Sequence, residues 1–245
     1  DPALEFPRAQ LRAWFDLYAH RPDLRKMIAK AWGKIYARLR IAPKQHRWRQ
    51  RRGVIGSLIL TLWEANWDPK LATRWRDPRG DDWEMAEDAA EKDPSTIIDA
   101  IVEDIEKALW QKAAAHHNGK GMEDGVDTTD ARRHLARLRK QDRLPEANAL
   151  LTAMTAGTWT PARRFDLYGD LAGTGNCSCG VRADDLHRIW GQCSDRVIHP
   201  AFEKSEHLVT MALAGAEHTP CFWLRGLPPT SWTTPPPCET PYTEE

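Results

Sequence analysis

Apolar residues recur at helical spacing from the first turns of the chain. Leu11, Trp14, Phe15 and Tyr18 fall at i, i+3, i+4 and i+7, a single stripe suited to one buried helix face. Leu24, Met27, Ile28, Ala31, Ile35 and Leu39 repeat the pattern after Pro22, a residue favoured in the first turn of a helix. A third helix is expected over 48–67. From Val54 onward it is apolar nearly all round, which predicts an element buried at the centre of this part. The period then changes. Asp77-Pro78-Arg79-Gly80 is a turn sequence in the middle of 71–85, and it predicts a short β-hairpin with Trp75 and Trp83 facing each other. Asp93-Pro94 opens the next helix, with Asp93 as its cap and Ile98, Ile101, Val102, Ile105 and Leu109 as its inner face. The polar His116-His117-Asn118-Gly119 run stops it.

The second half reads as shorter helices: 128–141, 145–156, 160–168, a six-residue piece at 185–190, and a last one over 203–216. The expected fold class is mainly α, a helical bundle with one short β-hairpin and a small Cys/His knuckle. The expected organisation is a helical domain over 1–118 with its hairpin near 71–85, a linker at 119–125, a helical part over 126–225 carrying a knuckle at 177–193, and a proline-rich, extended or disordered tail over 226–245.

Composition adds bounds. The chain has 245 residues and 41% hydrophobic content, enough for a core, and 35 basic side chains balance 35 acidic ones. The longest apolar run, 53–63, is shorter than the roughly 20 residues a bilayer demands, so no membrane partner is expected. The N-terminus has no basic patch followed by an apolar run, hence no signal peptide, and without an initiator Met it is expected to belong to a longer chain.

The neutral total hides local blocks. Lys44, Arg47, Arg49, Arg51 and Arg52 bracket Trp48, a pattern suited to phosphate contact with base stacking. Arg132, Arg133, Arg137 and Lys140 share one broad face of the helix at 128–141. The plain alternative for both is a solvated face balanced by the acidic stretch 81–106.

The candidate chemistry is concentrated in 176–193, NCSCGVRADDLHRIWGQC. Its spacing is Cys-x-Cys-x7-His-x5-Cys, and three thiolates with one imidazole make a complete tetrahedral zinc shell. Asp184 or Asp185 can cap the helix carrying His187. Gly180 permits a tight turn after Cys179, and Gly191 is expected to end the helix in the left-handed conformation. Leu186, Ile189 and Trp190 are expected to seat the knuckle on the helices before it. Three other readings remain open on spacing alone: unligated thiols, a disulfide between Cys179 and Cys193, or a site that has decayed. His199 and, more weakly, Cys221 are substitute ligands. Ala183-Asp184-Asp185-Leu186 has the letters of a polymerase metal motif but lacks the apolar strands that motif needs, and reads as a helix cap. Gly173-Thr174-Gly175 reads as a turn and His116-His117 as a helix end. No GxxxxGK[ST], HExxH or GxSxG sequence occurs.

The run 149–193 resembles the zinc-binding region that follows the polymerase in non-LTR retrotransposon reverse transcriptases, in particular the retroelement-derived chains of dinoflagellates. The likeness is carried by Trp159, Thr160 and Arg163 as a Trp-Thr-x-x-Arg step, then Cys-Gly at 179–180 and His187 with Trp190 ahead of Cys193. Residues 52–69 and 221–229 are similar to other pieces of such chains. This sequence has one residue fewer between the first two cysteines than the family's Cys-x2-Cys, and one more between His187 and Cys193. The resemblance implies zinc held by Cys177, Cys179, His187 and Cys193. It also implies a non-catalytic, nucleic-acid-binding region (RNA or DNA), an intracellular setting with the nucleus as one compartment, and flanking polymerase or RNase H domains of the same polyprotein as partners. The reading from a different class is a helical structural or protein-interaction domain with free thiols and no nucleic-acid role.

Overall fold

The computed structural model describes residues 2–84, 93–191 and 200–232. Among them are eleven α-helices and one antiparallel two-stranded hairpin, a mainly α fold. The chain divides into two compact units, Asp1–Leu109 and Trp110–Glu245.

In the first unit, α1 (Pro2–His20), α2 (Arg25–Ile41), α3 (Gly53–Glu64) and the first part of α4 (Pro94–Ala114) pack with β1 (Arg74–Arg76) and β2 (Asp82–Glu84). The stripe of α1 is buried as expected, with Leu11, Trp14 and Phe15 in the core and Tyr18 at its edge. On α2 the stripe is only partly buried. Ile28 and Leu39 lie inside beside Trp32, whereas Met27 faces solvent at 63% exposure. On α4 the inner face holds Ile98, Ile101, Val102 and Ile105, joined by Ile97, while Leu109 is exposed.

The third helix departs from its expected bounds. Residues 44–50 form a separate 3-10 segment, and α3 begins at Gly53, whose φ of +67° interrupts any continuous helix from Trp48. Its apolar body is central as its composition requires: Leu58, Ile59, Leu60 and Leu62 are buried.

Tryptophan fills this core at little polar cost where the indole N–H finds an acceptor. Trp14 and Trp32 lie 4.9 Å apart by ring centroid, and Trp32 stacks on Trp75 at 6.1 Å and 16°. The indole of Trp32 donates to the Pro69 carbonyl at 2.8 Å, that of Trp67 to Asp104 Oδ2 at 2.7 Å, and that of Trp75 to the Leu71 carbonyl at 3.1 Å.

The hairpin pairs Trp75 directly with Trp83. Its turn is organised by the buried Asp77, whose carboxylate accepts from the amides of Arg79 and Asp81 and from the Trp83 indole. Burial alone would raise this carboxyl's pKa, but those hydrogen bonds hold it below the ordinary value. Asp93 caps α4 as expected, accepting from the Ser95 amide at 3.0 Å.

In the second unit, α5 (Thr129–Lys140) and α6 (Leu144–Met154) form a hairpin around Leu135, Leu138 and Ala147. Next come α7 (Pro161–Tyr168), α8 (Asp185–Trp190), α9 (Pro200–Ser205), α10 (Val209–Gly215) and α11 (Pro220–Arg225). The single last helix expected over 203–216 is two, α9 and α10, joined by a 3-10 turn at Glu206–Leu208. The six-residue α11 was not anticipated from periodicity.

Successive turns over 119–125 bring the chain against 226–230, where Val126 and Pro229 form an isolated antiparallel bridge. The Asp127 amide donates to the Pro228 carbonyl at 2.8 Å and the Thr230 amide to the Gly125 carbonyl at 3.1 Å. Met122, Val126, Cys221 and Leu227 form the small core there. Arg225 reaches into it, donating through Nε and Nη2 to the Met154 carbonyl at the end of α6, where a cation meets the negative end of a helix.

Candidate metal centre

The knuckle is built on a tight turn. The Gly180 amide donates to the Cys177 carbonyl at 2.9 Å and the Cys177 amide to the Val181 carbonyl at 2.8 Å, with Asn176 and Arg182 bridged beyond them. Gly180 sits at φ +84°, so a turn followed by a left-handed glycine gives a bulged hairpin end. On this turn Cys177 and Cys179 occupy positions i and i+2.

The third ligand comes from α8. Asp184 caps that helix by accepting from the His187 amide at 2.8 Å, which fixes the first turn and aims the imidazole at the thiols. One ligand atom each from Cys177, Cys179 and His187 lies within 4.8 Å of the others, and Cys179 Sγ stands 3.5 Å from His187 Nε2. Zn–S bonds of about 2.3 Å and Zn–N bonds of about 2.0 Å give a tetrahedral S···N edge of about 3.5 Å and an S···S edge of about 3.8 Å. The Cys179–His187 contact matches the S···N edge, and the three groups together could hold a metal ion. The fourth expected ligand, Cys193, lies outside the described residues, as do the substitute ligand His199 and any disulfide that uses Cys193. Cys221 is not near the group. It is fully buried in the core with Met122 and Leu227, where burial pushes its thiol up to about 11.

Two expectations about the frame are corrected. Gly191 does not adopt the left-handed conformation: its φ is −67°. Glycine is needed there for space, since a Cβ would fall 2.3 Å from the His187 carbonyl oxygen and 2.6 Å from its Nδ1. The apolar residues of α8 seat it on the helices that follow, not those before: Leu186 and Trp190 pack with Ala212, Ala216 and Trp223, and the Trp190 indole donates to the Trp223 carbonyl at 2.6 Å. Ile189 is exposed. The tie to the preceding α7 is polar, through the Ala162 amide on the Ala183 carbonyl and the Arg182–Asp166 ion pair.

The Trp-Thr-x-x-Arg step has a clear structural basis. The buried Thr160 caps α7 by accepting from the Arg163 amide at 3.1 Å. The Arg163 guanidinium donates to the Ala156 and Thr158 carbonyls at 2.7 and 3.3 Å and lies over the Trp159 ring.

Sequence reasoning missed one polar cluster. Asp185, buried, accepts at Oδ2 from His117 Nε2 and from Asn118 Nδ2, both at 2.9 Å. It lines a cavity of about 630 Å³ beside the knuckle. The helix-end histidine was visible in the sequence, but its partner lies 68 residues away and leaves no local signal.

The basic candidates divide. Arg47 donates to the Ala42 carbonyl and covers the Trp63 ring, while Trp48 packs on the core, donates to Glu64 and carries Arg51 over its ring. Lys44, Arg49, Arg51 and Arg52 are exposed. On α5, Leu135 and Leu138 face inward and Arg132, Arg133, Arg137 and Lys140 face solvent. Of the acidic stretch, Asp82 pairs with Arg74 and Arg76, Glu84 with Arg74, and Asp99 with Arg8.

No family model, curated protein or solved structure matches this chain. Among the described residues no helix is long and apolar enough to cross a membrane.

Proposed function

We propose that this chain is a non-catalytic, nucleic-acid-binding region of a retroelement reverse transcriptase polyprotein, whose Cys/Cys/His knuckle holds zinc. The observation that carries the reading is the convergence of Cys177, Cys179 and His187. Bound zinc would supply a rigid cross-link between the turn at 177–180 and α8, fixing the orientation of the neighbouring surface, and would take part in no reaction. The two exposed basic faces, at 44–52 and on α5, support an RNA or DNA partner held through phosphates, with flanking polymerase or RNase H domains of the same polyprotein as neighbours.

Metal analysis of the purified chain tests the first part. About one equivalent of zinc, lost in Cys179→Ser and in His187→Ala, is expected. The rival reading, a helical interaction domain with unligated thiols, draws on the same 3.5 Å contact taken as a thiol–imidazole hydrogen bond. It predicts no zinc and no RNA binding at low salt.

A further inference from the structure

Trp159 stands apart from the tryptophans of the first unit. It is 54% exposed, whereas Trp14, Trp32, Trp67 and Trp75 are fully buried. Its ring is nevertheless held. The Arg163 guanidinium lies 5.5 Å from the ring centroid and is itself pinned by the carbonyls of Ala156 and Thr158. Thr160, next in the chain, is locked as the cap of α7. The first turn of α7 is bonded to the exit of the knuckle through the Ala162 amide and the Ala183 carbonyl. The molecule thus presents a held, half-exposed indole with a cation against its ring, on the segment bonded to the exit of the knuckle. A ring held in place and half exposed offers apolar area to a ligand, and the charges around it favour one chemistry. Residues 159–165 hold two arginines and no acid, and the next acid, Asp166, is occupied by Arg182. Local positive charge beside an exposed aromatic ring suits a polyanion that carries flat rings.

We propose that Trp159, backed by Arg163, is a stacking position for an unpaired base of single-stranded nucleic acid. This rests on the nucleic-acid reading above and deepens it by assigning the ligand as unpaired and naming the residue that meets it. The ring stacks on the base, Arg163 holds the ring in place, and Arg164 lies within one turn to meet a phosphate. Stacking tolerates any base, so the site reads strandedness more than sequence.

The test compares two fluorescein-labelled strands of about 12 units, one of thymidine and one abasic, by anisotropy with the zinc-loaded chain. Both carry the same phosphates. The wild type is expected to favour the thymidine strand about tenfold. Trp159→Ala and Trp159→Leu should erase that preference, leaving affinity for the abasic strand and zinc content unchanged, while Trp159→Phe keeps most of it. The leucine and phenylalanine variants preserve apolar volume, so the comparison survives if the alanine variant folds poorly. Equal binding of both strands by the wild type, or a preference that persists in Trp159→Leu, overturns the proposal. So does a concentration-dependent dimer abolished by Trp159→Leu, which would assign the ring to a protein interface. Binding to neither strand would instead reject the nucleic-acid reading on which it stands.

Discussion

The Asp184 carboxylate caps the His187 amide at 2.8 Å, and this one bond sets where the imidazole of the candidate metal centre points. A helix of six residues has little intrinsic stability, so its first turn depends on the cap. Asp184→Ala is expected to cost about 1 kcal/mol of stability. It should also weaken zinc binding roughly tenfold, as loss of an orienting residue around a metal ligand does. Asp184→Ser should restore most of both. Competition against a chromophoric chelator, alongside a thermal melt, checks this. Unchanged zinc affinity in Asp184→Ala would show that the helix cap does not position the ligand.

Two glycines in the knuckle separate strain from steric exclusion. At Gly180 nothing lies within 4 Å of an added Cβ, so Gly180→Ala pays only for its φ of +84°, about 1–2 kcal/mol. At Gly191 the backbone conformation is ordinary, but the Cβ would strike the His187 carbonyl and ring. Gly191→Ala should therefore lose far more zinc affinity than Gly180→Ala, even if the two melt at similar temperatures. Metal titration of both variants decides, and equal affinities would contradict the geometry.

Burial in an apolar core makes the Cys221 thiol a poor acid, raised from about 9 to about 11. In the folded chain it should resist iodoacetamide at pH 8 that alkylates Cys179 once a chelator has removed metal; mass spectrometry of the two peptides reports this. The linkage follows from the sign of the shift. The folded state keeps its proton above the pH at which the unfolded thiol loses it, so stability is full below about 9 and falls as pH rises toward about 11. Cys221→Ala should flatten that alkaline decline. A decline of the same steepness in the variant would assign it to other groups.

In the first unit, Trp75 is fully buried, stacked on Trp32 and packed against Phe15. Trp75→Ala is expected to cost about 3–5 kcal/mol, because the surrounding rings cannot collapse into the space. Met27→Ala, on the exposed side of α2, should stay within about 0.5 kcal/mol. Urea denaturation measures both. Similar midpoints for the two variants would mean that the aromatic cluster is not a core.

How much of this was legible depended on range. Repeats at i, i+3 and i+4 located α1, α2 and α4 because burial acts on one helix face, and Asp77-Pro78-Arg79-Gly80 located the hairpin because turn chemistry is local. The start of α3 was misplaced because Trp48 looks like the first residue of an apolar helix, while it lies in the preceding 3-10 segment and its indole donates to Glu64 at the far end of α3. The helix α11 escaped notice because six residues hold too few turns to show a period. The knuckle's cysteines and histidine could be named from spacing, yet Gly191's part in it could not, since it turns on a contact with the His187 ring. Asp185 with His117, and the seating of Trp190 on Trp223, are long-range pairings of the same kind.

The two basic faces should behave differently from the one arginine their pattern shares with the core. Arg133, Arg137 and Lys140 project from the outer side of α5, opposite Leu135 and Leu138. If each meets a phosphate of a single strand, replacing all three with alanine should reduce the slope of log K against log salt by about 2, at roughly 0.7 per phosphate. The same logic applies to Arg49, Arg51 and Arg52, with melting temperature little changed in either set. Arg47 is the contrast. Its guanidinium donates to the Ala42 carbonyl at 3.2 Å and lies 4.7 Å from the Trp63 ring centroid. Arg47→Ala should therefore lower stability by about 1 kcal/mol while leaving the salt slope alone. Binding isotherms over a range of salt, with a melt for each variant, separate the two effects. A salt slope that drops in Arg47→Ala but not in the α5 triple variant would move the nucleic-acid contact away from the exposed arginines and into the 3-10 segment.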